Sequence, residues 1–97
     1  MTGDARYVLI VHEVADYAAW KVVFDDAAPM RKAAGEIAYR LLRQEHDANQ
    51  VVHFSRWTTL TAARSFFESP ALVRIRAEAG VRAPTFHYLE NLEDGLL

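Results

Sequence analysis

A strand that is apolar on both of its sides constrains this chain more than any other feature. Residues Arg6 to Glu13 read RYVLIVHE, and both alternating sets of side chains in this run are mostly apolar. Such a strand is buried on both sides in a folded protein. A chain of 97 residues is the size of a small domain, and its own helices can cover only one side of a short sheet. The sequence therefore predicts a second cover for the other side.

Composition excludes several classes of protein. The chain has no cysteine, which excludes disulfide scaffolds, thiolate zinc sites, iron–sulfur clusters and cysteine nucleophiles. Its net charge of −2 offers no basic excess to neutralise phosphates, so we expect no nucleic-acid partner. No apolar run approaches the length of a membrane span or a secretory leader. We expect a soluble, cytoplasmic protein with no membrane partner.

The first half of the chain predicts a strand, a helix and a hairpin. Asp16 is a suitable N-cap for a helix that ends at Gly35. Pro29 should kink or split that helix, because proline has no backbone N–H to donate and its ring clashes with the preceding turn. Alternating apolar residues predict strands over Glu36 to His46 and Val51 to Trp57. The DANQ sequence between them is typical of a turn, so the two strands form a hairpin.

The second half predicts a helix in two pieces and a last strand. Thr58 or Thr59 can cap the first piece, and Ser69-Pro70 reads as the N-cap and first residue of the second. That piece stops at Gly80, and Thr85 to Leu92 reads as a strand. The tail after Leu92 is expected to be loose or to pack on a partner.

The resulting order is β–α–β–β–α–β, which predicts an α+β, ferredoxin-like fold for a single domain over residues 1–97. Its four-stranded antiparallel sheet would have the order 4-1-3-2, with the helices on one face. The economical cover for the open face is the same face of a second copy. We therefore expect a homodimer with two sheets around a shared, barrel-like core.

A motif at the end of the hairpin carries a family resemblance. Trp57, Ala62, Phe66 and Ser69-Pro70 follow the spacing W-x4-A-x3-(H/F)-x2-S-P. This motif, the opening YVLIVHEVADYAAWKVVFDD and the ending AGVRAPTFHYLE resemble the antibiotic biosynthesis monooxygenase type of dimeric α/β-barrel protein. The resemblance implies a cofactor-independent monooxygenase, or a cyclase or isomerase, that acts on an aromatic or polyketide-type small molecule. It implies no cofactor.

One position departs from that family pattern. Many monooxygenase members carry a histidine nine residues after the motif tryptophan, and haem-degrading members carry a haem-ligating histidine in the same helix. Here Phe66 and Phe67 stand nine and ten residues after Trp57. The sequence thus offers no haem ligand at this place and lacks the motif histidine.

Three histidines are predicted to approach one end of the sheet. His12 lies near the end of the first strand, and His53 and His87 lie near the beginnings of the third and fourth. His46 lies beside the turn and should be solvated. Three neutral imidazoles could bind a divalent metal, although no short ligand-spaced motif supports this. A single histidine could instead act as general base in an apolar pocket. A third interpretation makes them ordinary strand residues near the rim.

Aromatic residues form a second candidate group. They come from both helices, the third strand and the last strand, and comprise Tyr17, Trp20, Phe24, Trp57, Phe66, Phe67 and either Phe86 or Tyr88. Such residues could line a space for a flat polycyclic ligand between helices and sheet. They could equally fill a small core, with the indole N–H of Trp57 requiring a partner.

Arg40 is the third candidate. If its side of the second strand faces the pocket, its guanidinium could hold an enolate or phenolate. It could otherwise be an edge-strand charge that limits aggregation. The other candidate arginines, Arg56, Arg64, Arg74, Arg76 and Arg82, read as solvated or as salt-bridge partners.

These candidates define two hypotheses. In the first, His12 or His53 deprotonates a substrate in an apolar pocket, Arg40 stabilises the anion, and Tyr17 and Trp57 orient it. The aromatic residues and His87 would complete the binding site. In the second, the protein is a non-enzymatic ligand-binding or accessory dimer.

Overall fold

The computed structural model describes residues 5–97 and confirms the predicted order of elements, with each helical region divided in two. The strands are β1 (Arg6–Val14), β2 (Glu36–Gln44), β3 (Asp47–Trp57) and β4 (Val81–Glu90). The helices are α1 (Tyr17–Asp26), α2 (Ala28–Ala34), α3 (Leu60–Phe67) and α4 (Pro70–Glu78).

The four strands form one antiparallel sheet in the order β2-β3-β1-β4. This is the predicted 4-1-3-2 order of a ferredoxin-like α+β fold, with the central pair β1 and β3 aligned over eight residues. The helices pack on one face of the sheet. None of the helices in residues 5–97 is long and apolar enough to cross a lipid bilayer.

The first helical region divides where proline requires it. Asp16 caps α1 by accepting a hydrogen bond from the N–H of Ala18 at 3.0 Å. Ala27 separates the two helices, and Pro29 lies in the first turn of α2, where no intrahelical N–H donor is needed. Gly35 ends α2 with φ of 123°, and a Cβ there would lie 2.6 Å from the hydroxyl oxygen of Thr58. The chain therefore needs glycine at this point to enter β2.

Two predicted boundaries are wrong. The hairpin turn is Glu45–His46, because β3 begins at Asp47 and Gln44 pairs with that residue. Asp47 and Asn49 belong to the exposed end of a strand, where the carboxylate of Asp47 accepts the N–H of Asn49. The last strand begins at Val81 rather than Thr85, since an edge strand tolerates Pro84.

The helix-facing side of the sheet holds the core in two adjoining clusters. One cluster packs Val8 and Ile10 of β1 and Trp57 of β3 against α3 and Leu72 of α4. The other packs Val14 and Val51 against the α1 residues Trp20 and Phe24. The candidate site lies where these two clusters meet.

The opposite face of the sheet carries apolar side chains with no helix of residues 5–97 packed on it. Tyr7 of β1 and Phe54 of β3 stack there with ring centroids 5.0 Å apart. Leu42 is 48% exposed and Leu89 is 39% exposed on the flanking strands. This is the face that the sequence predicts to be covered by a second copy.

Candidate functional site

A cavity of about 70 Å³ lies between the helices and the sheet. Its floor is formed by buried residues of β1 and β3, namely Ile10, His12 and His53. Its walls are mainly aromatic and aliphatic side chains of the helices, including Trp20, Phe24, Phe66, Phe67 and Leu72. The half-buried lining residues come from the α1–α2 region and from α4 and the chain just after it, which places the opening between these two regions.

His12 is a buried imidazole with no hydrogen-bond partner in the part of the chain that the structure describes. It is 4% exposed, and neither its Nδ1 nor its Nε2 contacts a donor or acceptor among residues 5–97. The alternation of β1 turns Val8, Ile10, His12 and Val14 to the helices, so the strand itself places the ring in the cavity. An unpaired buried polar group destabilises the fold, which makes this position chemically unusual.

The surroundings of His12 keep its ring neutral. Burial lowers its pKa from the ordinary value of 6.5 to about 4, with smaller contributions from His53 and Arg76. A neutral imidazole has one N–H donor and one nitrogen lone pair. At neutral pH, His12 therefore presents a free proton acceptor inside an apolar cavity.

His53 lies on the same face and is anchored through one of its ring nitrogens. Its Nε2 lies 2.8 Å from Oε2 of Glu36, and Nε of Arg31 donates to Oε1 of Glu36 at 2.5 Å. Arg31 also donates to the carbonyl of Phe24 and stacks on its ring, 3.6 Å from the centroid. Because a carboxylate paired with arginine is ionised and can only accept, Nε2 of His53 must carry the proton. This network holds His53 in one orientation.

The remaining predicted aromatic residues divide between the cavity and the core. Trp20, Phe24, Phe66 and Phe67 line the cavity. Tyr17 contacts Trp20 outside the cavity lining, with ring centroids 5.8 Å apart, and the guanidinium of Arg43 lies 4.7 Å from the centroid of its ring. Trp57 is 2% exposed, and its indole N–H donates to the hydroxyl of Ser55 at 2.8 Å, so it is already satisfied without a ligand.

Three predicted site residues lie elsewhere. Arg40 pairs with Phe54 and His87 pairs with Leu9 on the open face of the sheet, away from His12 and His53. Tyr88 faces the helices, where Arg64 stacks on its ring outside the cavity lining. The predicted trio of histidines is therefore not assembled, and no three potential metal-ligating side chains cluster within residues 5–97.

Sequence reasoning missed Glu36, Arg31 and Arg76. The signal for the first two was available: Arg31 is the one charge in the apolar stripe of the first helical region, and Glu36 follows it by five residues. A charge on a buried stripe needs a partner. Arg76, expected in solvent, is instead half-buried at the cavity, where its Nη1 donates to the carbonyl of Phe67 at 2.8 Å.

Comparison with known structures supports the fold. SnoaB, a cofactor-independent oxygenase from Streptomyces nogalater, superposes with a TM-score of 0.76 at 18% identity, over 94% of this chain and 96% of that one. A proposed antibiotic biosynthesis monooxygenase from Caulobacter crescentus gives a TM-score of 0.70 at 21% identity, over 95% of this chain and 93% of that one. Rv0793 from Mycobacterium tuberculosis gives 0.64 at 20% identity, over 94% and 99%. These identities are low enough that the likeness concerns the fold.

Sequence comparison supplies the family. No curated protein matches the chain significantly in sequence. The family model for antibiotic biosynthesis monooxygenase matches residues 11–78, which include β1 from its middle, the hairpin and all four helices. With most of its length matched, the chain belongs to the antibiotic biosynthesis monooxygenase family.

Proposed function

We propose that this protein is a cofactor-independent monooxygenase, or a cyclase or isomerase, in which His12 removes a proton from a small aromatic or polyketide-type substrate. The observation that carries the proposal is the neutral ring of His12 at the floor of an apolar cavity, where no residue from 5 to 97 is its hydrogen-bond partner. A buried polar group without a partner destabilises a protein unless a ligand completes its hydrogen bonds. His12 is therefore the group that a substrate would engage.

The proposed reaction requires no cofactor, because the substrate anion itself supplies the electrons. An acidic C–H or O–H of the substrate gives its proton to the lone pair of His12, which leaves a carbanion or phenolate and an imidazolium. In the oxygenase form, the carbanion gives its electron pair to O₂ and forms a C–O bond, and the resulting peroxide takes the proton back from the imidazolium of His12. The hydroperoxide then loses water together with the remaining hydrogen of the same carbon, which leaves one oxygen atom as a carbonyl. In the cyclase or isomerase form, the same anion attacks a carbonyl or is reprotonated elsewhere. The apolar walls exclude water from the anion.

The cavity volume limits what can bind. Pockets for drug-sized ligands occupy about 300–1,000 Å³, whereas this cavity measures about 70 Å³. A ring therefore enters only with outward movement of the half-buried side chains at the opening, such as Val23 and Ile75. This favours single-ring substrates, or larger ones that insert one edge, over a fully enclosed polycycle.

The test separates proton removal from oxygenation. Single-ring phenols such as resorcinol and phloroglucinol are incubated with the protein in D₂O without O₂, and ring C–H exchange is followed by NMR; O₂ uptake is then measured in air. The proposal predicts exchange above the rate without protein, and its loss in His12→Leu but not in the exposed variant His46→Gln. Exchange with O₂ uptake supports the oxygenase, and exchange alone supports the cyclase or isomerase.

The accessory-dimer hypothesis makes a different prediction. It is favoured by the small size of the cavity and by phenylalanine at positions 66 and 67. A binding protein would take up a phenol without exchange and without O₂ uptake. Binding with neither reaction across the panel would therefore replace the enzyme proposal with that hypothesis.

We further propose that the open face of the sheet forms the interface of a homodimer. The stacked pair of Tyr7 and Phe54, and the exposed Leu42 and Leu89, supply the apolar surface that an obligate interface needs. Light scattering should give a dimer that Leu42→Glu dissociates. Val22→Glu is the matched control, because Val22 is a 60% exposed residue of α1. A monomeric wild type would contradict the proposal.

A further inference from the structure

Arg76 is the cationic residue of the cavity that has no carboxylate partner. Among residues 5–97, the other lining arginine, Arg31, is paired with Glu36. Arg76 has no carboxylate oxygen within 4.0 Å in the same part of the chain. One of its five N–H donors bonds the carbonyl of Phe67, and its guanidinium stacks on Phe86 at 4.9 Å from the ring centroid. The side chain is thus held in place and still has N–H groups that can donate to a ligand.

The position of Arg76 complements that of His12. Both residues line the same cavity, His12 at the buried floor and Arg76 among the half-buried residues near the opening. They are close enough for the positive charge of Arg76 to help lower the pKa of His12. A ligand in this cavity would therefore meet a neutral acceptor on one side and an unneutralised cation on the other.

We propose that Arg76 and His12 together form a binding site for a small organic oxyanion, either a carboxylate or an enolate or phenolate. A half-buried arginine prefers an anionic partner, and its planar fork matches a planar, delocalised oxyanion. His12 takes up the proton whose loss forms the enolate or phenolate, whereas toward a carboxylate that is already ionised it donates its ring N–H. This inference rests on the proposed function and gives Arg76 the role of anion stabiliser that the sequence assigned to Arg40.

The two sources of an oxyanion are distinguished by two probes. Benzoate, with benzamide as its uncharged analogue, tests a ligand that is already a carboxylate. The probe 4-nitrophenol tests a ligand that ionises in the site, because its absorbance reports the phenolate. Affinities are measured by NMR titration at neutral pH for the wild type, Arg76→Gln, Arg76→Lys and Arg74→Gln, with circular dichroism of each variant as the folding control. Arg74 is the matched control, since it lies exposed on the same helix.

The proposal predicts that benzoate binds more tightly than benzamide, or that bound 4-nitrophenol ionises at a lower pH than in solution. Arg76→Gln loses the charged hydrogen bond, so its affinity for the anion that the wild type prefers should be lower by about tenfold to a hundredfold. Arg76→Lys should restore part of the affinity, and Arg74→Gln should leave it unchanged.

The outcomes remain decisive if a variant fails to fold. Equal binding of benzoate and benzamide by the wild type, with no shift in the ionisation of 4-nitrophenol, overturns the inference. Equal loss in Arg74→Gln and Arg76→Gln does the same, because it marks a general charge effect. Anion binding without proton exchange retains the site and removes only the enzyme proposal, whereas exchange without anion preference removes only the role of Arg76.

Discussion

His12 and His53 are two buried histidines in similar positions that differ in whether the ring has a hydrogen-bond partner. Both face the helices from central strands, they are diagonal neighbours in the β1–β3 pairing, and they are 4% and 3% exposed. His53 is anchored by Glu36, which is itself anchored by Arg31, whereas His12 has no partner within residues 5–97. The hydrogen bond of His53 therefore stabilises the fold, whereas the buried ring of His12 lowers the stability of the fold.

The anchored network also connects elements that form different parts of the site. Arg31 lies on α2, Glu36 begins β2 and His53 lies on β3, so their contacts tie the helical region to the hairpin. Buried ionic networks of this kind stabilise a structure only while every member is present. His12 lies beside this rigid frame and keeps its lone pair for a ligand.

The largest expected effect comes from breaking the charged network that anchors His53. Glu36→Gln removes the carboxylate that neutralises Arg31 and leaves a buried charge unpaired. We expect the free energy of unfolding to fall by about 3–5 kcal/mol, measured by urea denaturation. Glu45→Gln is the matched control, because the side chain of Glu45 is 84% exposed. A loss in Glu36→Gln no larger than in the control would contradict the anchoring role of the network.

The converse change removes the unpartnered group. His12→Leu replaces two unsatisfied ring nitrogens by an apolar side chain of similar size. We expect the free energy of unfolding to rise by about 1–3 kcal/mol while proton exchange on substrate is lost. The same denaturation experiment on His53→Leu should show a loss of stability. A destabilised His12→Leu would mean that the ring has a partner in solution.

The pH dependence of stability should report the burial of His12. The pKa of His12 is about 4 in the native state and 6.5 ordinarily, so the unfolded chain takes up its proton first as the pH falls. The contribution of His12 to stability is fully present at a pH above its ordinary pKa of 6.5. It is lost as the pH falls toward the native pKa of about 4. Between pH 7 and pH 5 this decrease should be about 2 kcal/mol. Denaturation of wild type and His12→Leu at both pH values checks it, since the variant should lack this decrease.

The smallest effect is expected for a histidine outside the site. His46 lies in the hairpin turn with its side chain 85% exposed. His46→Gln should change the free energy of unfolding by less than about 0.5 kcal/mol and leave ligand binding unchanged. A larger change in either measurement would show that burial is not what separates His12 from the exposed histidine.

The fold was predictable because its determinants are local. Asp16, Pro29, Gly35 and Ser69 each act on the backbone beside them, and the structure uses them as the sequence predicts. The hairpin turn was misplaced because the DANQ sequence is as polar as a turn and yet forms the exposed end of β3. Local polarity does not distinguish those two states.

The site was predictable only in part, because it depends on strand register. The pairing of β1 with β3 brings His12 and His53 to one face, as expected. In β2, however, an irregularity between Glu36 and Ala38 inserts one extra residue, so Tyr39 faces the helices and Arg40 the open face. The register of β4 likewise places His87 opposite Leu9. The alternation of apolar residues in the sequence shows neither the irregularity in β2 nor the register of β4.

The most direct test of this account is the ionisation of the His12 ring in the wild-type protein, followed by NMR of its ring nitrogens from pH 8 to pH 3. The account predicts a neutral imidazole at pH 7 that takes up its proton near pH 4, and a perturbed ring signal when a ligand enters the cavity. Protonation near 6.5, with no response to any ligand, would show a solvated ring and contradict the central role given to His12.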